Sequence, residues 1–329
     1  MKAVDILEQF PGKTALVVGD ICLDRWCTYD PAYAEPSRET GIPRLAVVET
    51  EVTPGAGGTV ANNLVALKIG RVSVLGAIGE DCDGQELVRA LNERGISPEL
   101  LVQSSRLSTF TYTKLTNAAT GVEDQARVDI INTRQLPAPV ERQIINHLQT
   151  FWHAFDVIFV SDQAETQRGG VVTPAVRDTI SELAEKDPER VCWVDSRIRS
   201  ELFRNVILKP NEQEAKSTST SVLGMVDYAR LRRRVKARIL YVTQGPKGVL
   251  VVGDEGETLV PTRSVDKPVD ICGAGDSFSA GAGVALTICR SPIDAARVGN
   301  LIASITIMKK GTGTASVEEA RTAAQEMGW

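Results

Sequence analysis

Residues 272–281 read CGAGDSFSAG, in which Gly273, Ala274 and Gly275 lead into one carboxylate, Asp276, at the mouth of an apolar run. Small residues ahead of a helix leave backbone N–H groups open to an anion. A carboxylate beside that anion is awkward unless it works as a base. Taking a hydroxyl proton while the oxygen attacks a phosphorus is such work. Helix capping competes, because an acid in the first turn also suits the helix dipole. Gly273, Ala274 and Gly275 are therefore a candidate anion hole, and Asp276 a candidate general base.

Other polar residues recur where apolar runs end. PGAGGTVANNLVALKIG (54–70) sets glycines ahead of a helix opening near Thr59. Gly57 and Gly58 would let backbone approach a hydroxyl-rich ligand, and Asn62 can donate and accept; a tight turn is the competing reading. Asp20 and Asp24 follow the first strand at a spacing of four and suit sugar hydroxyls, although either alone is also an ordinary turn residue. In PNEQEA (210–215), Asn211 and Glu214 share one side of a first helical turn. Such a pair can hold a hydrated Mg²⁺, or it can simply be a capping box.

Several chemistries lose their footing. GKT at 12–14 lacks the glycine a phosphate loop needs, Leu7 standing there, and GDICLD after the first strand is no G-x-G-x-x-G. No G-x-S-x-G elbow occurs, and two histidines poorly support a Ser–His triad. The six cysteines form no Cys-x-x-Cys pair, which argues against zinc and against a disulfide framework. With 37 basic and 42 acidic residues the net charge is −5, giving no global pull toward nucleic acid or an anionic membrane. The densest basic run, RLRRRVKAR (230–238), reads as a solvated helix face, with Leu231 and Val235 turned inward. No apolar segment is long enough to span a membrane, and the first ten residues read as a short amphipathic helix, so a cytoplasmic setting is expected.

The elements that must position these residues alternate. TALVVGD (14–20), VSVLGAIG (72–79), VIFVSD (157–162), VCWVDS (191–196), VILKPN (206–211), ILYVTQG (239–245) and VLVVGD (249–254) read as strands. Helical patterns lie near 59–69, 83–94, 139–151, 172–186, 222–237, 275–289, 292–309 and 316–327. The expected fold is α/β, a mostly parallel central sheet with helices on both faces, whose ligands collect at strand carboxyl ends. Segments 26–53 and roughly 98–131 break the rhythm with period-2 stretches such as RLAVVETEV and STFTYTKLT. They read as antiparallel strands of a small lid.

With Asp24, Gly57, Gly58, Asn211, Glu214 and Asp276 all at strand ends, phosphoryl transfer to a sugar is the economical reading. The chain resembles the PfkB (ribokinase-like) carbohydrate kinases over nearly its whole length. That family's C-terminal signature appears as DICGAGDSFSAG (270–281) and its N-terminal one as GGTVANNLVALKIG (57–70). Its Asn-x-x-Glu is NEQE (211–214), and its Thr-x-Gly is TQGPKG (243–248). Within the family the chain is similar to the heptose 7-phosphate kinases, through GDICLDRW (19–26), IPRLAVVE (42–49), TYTKL (111–115), ARVD (126–129), VSD (160–162) and MKKGTGTAS (308–316).

The resemblance implies one ribokinase-like kinase domain over 1–329, using ATP and Mg²⁺, and a monovalent-cation site near Asp270 and the GTGTAS loop. It implies that Asp276 is the base, that Asp24, Gly57, Gly58 and Asn62 hold the sugar, and that Asn211, Thr243, Gly245, Gly248 and Asn300 lie near the nucleotide. The implied acceptor is D-glycero-β-D-manno-heptose 7-phosphate, giving the 1,7-bisphosphate. Lys114 and Arg127 on the lid, with Arg197 after another strand, are basic side chains suited to a phosphorylated acceptor. A free-sugar kinase and a catalytically silent sugar-binding protein are the alternatives. Ile271-Cys272 replaces the usual Thr-Thr, Lys209 precedes Pro210, and QAETQRGGVV follows VSD where a tyrosine–lysine–glycine run is typical. Pairing of two lids into a homodimer is expected, since unpaired strand edges are usually covered.

Overall fold

The computed structural model describes residues 1–166 and 168–329. Its main sheet contains β1 (Thr14–Gly19), β4 (Arg71–Leu75), β9 (Val157–Asp162), β10 (Val191–Ser196), β11 (Ile207–Leu208), β12 (Ile239–Thr243), β13 (Val249–Gly253) and β14 (Gly256–Val260). Their spatial order is β14-β13-β12-β11-β10-β9-β1-β4. All neighbours from β12 through β4 run parallel, and β13 and β14 add an antiparallel edge.

Alternation along each strand divides the core in two. Ala15, Val17, Phe159, Trp193 and Tyr241 face one layer, with α1 (Ala3–Leu7), α2 (Gly57–Ala66), α8 (Ala274–Cys289), α9 (Pro292–Thr306) and α10 (Val317–Glu326). Leu16, Val18, Ile158, Cys192 and Val242 face the other, with α4 (Ala138–Phe151), α5 (Pro174–Lys186), α6 (Glu212–Leu223) and α7 (Tyr228–Arg234). Each buried Val, Leu, Ile or Phe contributes about 1.5–3 kcal/mol, which is why a sheet buried on both faces reads as continuous apolar runs. The small residues of α8 serve this packing. A Cβ on Gly283 would stand 2.4 Å from the Phe159 ring.

The lid leaves the sheet directly after Asp20. Strand β2 (Ile21–Tyr29) pairs antiparallel with β3 (Val47–Ala56) and parallel with β7 (Thr111–Asn117), which carries β8 (Val128–Ile130) on its other edge. The helix α3 (Cys82–Glu93) braces its base: Arg25 on β2 pairs with Asp83 at 2.6 Å and Glu86 at 3.2 Å.

Five expectations are corrected. The lid starts at residue 21, not 26. It is mixed rather than antiparallel, because β2 and β7 run parallel at its centre. VSVLGAIG is two strands, because the chain turns at Gly76, where a Cβ would meet the Gly19 carbonyl at 2.5 Å; β5 (Ala77–Gly79) then pairs with β6 (Val102–Ser104). The single helix expected over 222–237 is divided: Gly224, at φ 75°, ends α6, and the Asp227 side chain caps α7. Strand β14 was not expected, its GETLV offering no continuous apolar run. In the basic run, Leu231 and Val235 are buried as expected, and Arg232 is buried with them against Asp254 at 2.7 Å.

Candidate active site

Asp276 is the third residue of α8, behind an N-cap glycine, Gly273, whose φ of 75° suits no side chain. A Cβ on Gly273 would stand 3.4 Å from the Thr312 side chain, so the GTGTAS loop lies beside the helix mouth. Asp276 lies in the first turn, where the helix dipole favours it, but no side-chain capping bond forms. Among the described residues Asp276 accepts no hydrogen bond and forms no ion pair; its carboxylate lines a cavity of about 200 Å³. Burial, reinforced by Asp195 and Asp24 and opposed by Lys209 and Arg197, raises its pKa to about 7. A carboxyl poised there can be ionised and still take a proton.

Asp24 faces Asp276 across that cavity, and Tyr112, Lys114, Arg127, Gln163 and Arg197 complete much of its wall. Burial raises Asp24 to about 6, with the Cys22 thiol, Lys114 and Arg127 pulling the other way. Its carboxylate lies so close over Gly55 that a Cβ there would be 2.1 Å from an oxygen. Lys114 stacks on Trp26 (4.6 Å) and Arg127 on Tyr112 (4.9 Å), which aims both cations inward from the lid. Each also has an acidic neighbour, Glu123 at 3.7 Å and Asp129 at 2.7 Å.

Other expected residues stand behind the wall. Gly57 and Gly58 are buried against Ile21 and Pro54, and Ala56 and Thr59 line the cavity beside them. The Asn62 amide donates to Thr53 (3.2 Å) and the Pro54 carbonyl (3.1 Å), tying β3 to α2. Asp20 is not a sugar-facing group. It is 2% exposed, and its carboxylate takes the backbone N–H groups of Gln163, Ala164 and Val171, each at 2.8 Å. It thereby pins the loop after β9. Arg199 is a second brace, bonded to Asp162 at 2.6 Å and to the carbonyls of Ala164 and Thr166.

Asn211 and Glu214 form the complete capping box, with bonds of 2.8 and 2.9 Å. The Asn211 oxygen is spent on that cap, whereas Glu214 keeps one oxygen free. Burial raises the Glu214 pKa despite the Asn211 N–H. Thr243 bonds through its N–H to the Pro210 carbonyl (3.1 Å), which sets TQGPKG beside Asn211. In that loop Gly245 has φ 56° and Gly248 has φ 97°. The Asn300 amide donates to the carbonyls of Val260 (3.0 Å) and Pro261 (3.2 Å), anchoring the segment that leads from β14 to the helix mouth.

Sequence reasoning assigned no role to two residues here. Lys209, 4% exposed, pairs with Asp195 at 2.8 Å, and its Nζ would lie 3.2 Å from a Cβ on Gly275. Burial works to lower its pKa, but Asp195 and Asp276 raise it overall, so a fixed cation underlies the anion hole. The signal was a charged residue inside an otherwise apolar strand end, VILKP and VCWVDS. Asp270 accepts the N–H groups of Cys272 (2.9 Å) and Gly311 (3.1 Å), and Lys309 donates to the Thr314 carbonyl at 2.7 Å. Among the described residues no three His, Cys, Asp or Glu side chains gather as a metal cage, and no helix is long and apolar enough to cross a membrane.

A buried carboxyl facing a polar cavity, at a glycine-led helix mouth and beside a buried lysine, is an arrangement that suits phosphoryl transfer. The model of the pfkB family carbohydrate kinases matches residues 15–320. The chain belongs to that family. It is a phosphotransferase with an alcohol group as acceptor. Curated relatives include the bifunctional protein HldE of Caulobacter sp. (strain K31), 30% identical over 321 residues, covering 94% of this chain and 62% of the relative. The HldE of Geobacter metallireducens is 30% identical over 312 residues, covering 93% and 61%. This chain thus spans about three fifths of the length of these relatives. Among solved structures, a ribokinase from Thermotoga maritima superposes with TM-score 0.69 at 23% identity, covering 95% of this chain and 99% of that one. Phosphofructokinase-2 from Escherichia coli, in complex with potassium, gives 0.72 at 18%, covering 96% and 100%. These likenesses bear out the ribokinase-like α/β fold.

Proposed function

We propose that this carbohydrate kinase uses ATP to phosphorylate a sugar that already carries a phosphate, best matched by heptose 7-phosphate, at its anomeric hydroxyl. The observation that carries the reading is the lid's pair of cations, Lys114 and Arg127, set on aromatic platforms in the same cavity as Asp24 and Asp276. A phosphate in a partly desolvated pocket needs such partners. The likeness to the HldE proteins is consistent with it.

In this mechanism Asp24 orients the acceptor hydroxyl toward Asp276. The acceptor oxygen forms its bond to the γ-phosphorus as the bond to the ADP oxygen breaks, and the hydroxyl proton passes to Asp276. The Gly273 and Gly275 N–H groups and the Lys209 ammonium would face the charge that develops, whereas the Ala274 N–H is donated to the Ile271 carbonyl at 3.2 Å. Glu214, with its free oxygen and strand-end position, fits a hydrated Mg²⁺ held through water, and Asn211 supports it by fixing the Glu214 backbone. When bound, Mg²⁺ would neutralise phosphate charge. Thr243, Gly245, Gly248 and Asn300 shape the nucleotide side. A monovalent cation would sit by Asp270 and the 311–316 loop, which the Asp270 carboxylate ties together by accepting the Cys272 and Gly311 N–H groups.

A free-sugar acceptor such as fructose or ribose is the second reading, favoured by the acidic neighbours that Lys114 and Arg127 already have. The test is kcat/KM for heptose 7-phosphate, fructose 6-phosphate, fructose and ribose, with wild type, Lys114→Ala and Arg127→Ala. Each substitution is expected to raise KM for the phosphorylated acceptor roughly 10- to 100-fold and leave neutral sugars unaffected. A free sugar winning the panel, with both variants indifferent, contradicts the phosphorylated acceptor and leaves the kinase.

A further inference from the structure

Arg197 follows β10 at the carboxyl edge of the sheet, its backbone N–H bonded to the Asp162 carbonyl at 3.1 Å. Two cavities meet at its side chain. One is the acceptor cavity of about 200 Å³ that holds Asp24 and Asp276. The other is a polar groove of about 530 Å³ along α6, lined by Asn211, Glu214, Ser217 and Thr218. Arg197 is the one residue among those described that lines both.

Its partner in this state is Glu165, on the loop after β9. The two side chains are 50% and 63% exposed. An ion pair that open contributes little to stability, so a phosphate can displace the carboxylate. The contrast with Arg199 is sharp. Arg199 is 14% exposed and locked onto a fully buried Asp162, which leaves it a brace for the loop that presents Glu165. Arg197 alone of the two has a fixed backbone and a releasable head. Its planar fork suits two oxygens of a phosphoryl group, which a lysine ammonium does not match.

We propose that Arg197 leaves Glu165 when ATP and acceptor are bound and grips the transferring phosphoryl group in the acceptor cavity, which Gly273 and Asp276 also line. The step rests on the kinase reading above. The acceptor–phosphorus bond forms, the bond to ADP breaks, Asp276 takes the proton, and Arg197 offsets charge on the transferring oxygens without bonding covalently. Glu165 competes for the same guanidinium and returns to it after product leaves. Arg197 is thus a catalytic residue rather than an anchor for the acceptor's own phosphate.

The experiment measures kcat and both KM values for wild type, Arg197→Met, Arg197→Lys, Arg197→Ala and Glu165→Gln, using the panel's best acceptor. Thermal melts accompany each variant. Arg197→Met is expected to lose kcat roughly 10³-fold with KM values within threefold, and Arg197→Lys to recover little of it. Added guanidinium chloride at millimolar concentration should partly restore Arg197→Ala, which a merely structural role would not allow. Glu165→Gln should raise kcat/KM for ATP two- to fivefold. An acceptor KM rising tenfold or more with kcat kept makes Arg197 a substrate anchor and overturns the proposal. So does a Glu165→Gln defect as deep as that of Arg197→Met. No ADP from the wild type with any acceptor would instead sink the kinase reading itself, and this proposal with it.

Discussion

At the scale of single residues, the chemistry depends on carboxyls held above their ordinary range. Because burial sets the Asp276 pKa to about 7, kcat/KM should climb about tenfold per pH unit below 7 and level off above it. A flat profile from pH 5.5 to 8 would contradict the base assignment. The same shift has a stability consequence of definite sign. The folded state binds the Asp276 proton more tightly than the unfolded chain, so wild-type stability falls as pH rises from about 4 through about 7. Asp276→Asn escapes that loss, and its melting temperature should exceed the wild type's by more at pH 8 than at pH 5. Equal gaps at both pH values would place the carboxyl in solvent. Lys209 is the converse case. Lys209→Met strands Asp195 without its cation and is expected to destabilise by about 3–5 kcal/mol in urea titrations. The sequence made Asp276 legible because glycines and a helix surround it. It left Asp20 ambiguous, since nothing in GDICLD distinguishes a loop clamp from a sugar ligand. Only the three backbone N–H groups converging on its carboxylate decide that.

At the scale of elements, Asn211 and Glu214 form the cap their spacing suggested, and holding Mg²⁺ is the second role proposed for them. The box itself is formed, and a glutamine at its third position still caps. Glu214→Gln therefore separates cap from cation: melting should change little, while the Mg²⁺ needed for half-maximal rate should rise severalfold. An unchanged Mg²⁺ dependence would reduce the pair to a cap. The parallel strands were readable because each is buried on both faces and so appears as an unbroken apolar run. Boundaries set by single backbone positions were not. Gly76 turns the chain under the Gly19 carbonyl, and Gly224 ends α6 within what reads as one helical period. Strand β14 escaped because its residues are mostly exposed and follow no apolar pattern.

At the scale of the whole molecule, the lid projects from the sheet with apolar residues uncovered. Val47 and Val48 on β3 and Val128 and Ile130 on β8 are all at least 40% exposed. Both strands are edges of the lid sheet, and an exposed apolar edge invites pairing. A homodimer through two lids follows as a proposal. Light scattering should give about twice the chain's 35.5 kDa, and Val48→Lys with Val128→Lys should return monomer; a monomeric wild type at micromolar concentration would count against it. The lid also bears the cations proposed to face the acceptor, so losing the pairing should raise acceptor KM before it lowers kcat.

The central claim is that Asp276 takes the acceptor's proton during phosphoryl transfer from ATP. The most direct measurement is single-turnover ADP formation by wild type and Asp276→Asn, with saturating ATP, Mg²⁺ and the best acceptor. The variant keeps shape and loses the base. Its rate is expected to fall roughly 10²–10⁴-fold, with acceptor binding by calorimetry within a few-fold of wild type. A variant turning over at near the wild-type rate would contradict the claim and leave Asp276 only the role of a first-turn acid facing the helix dipole.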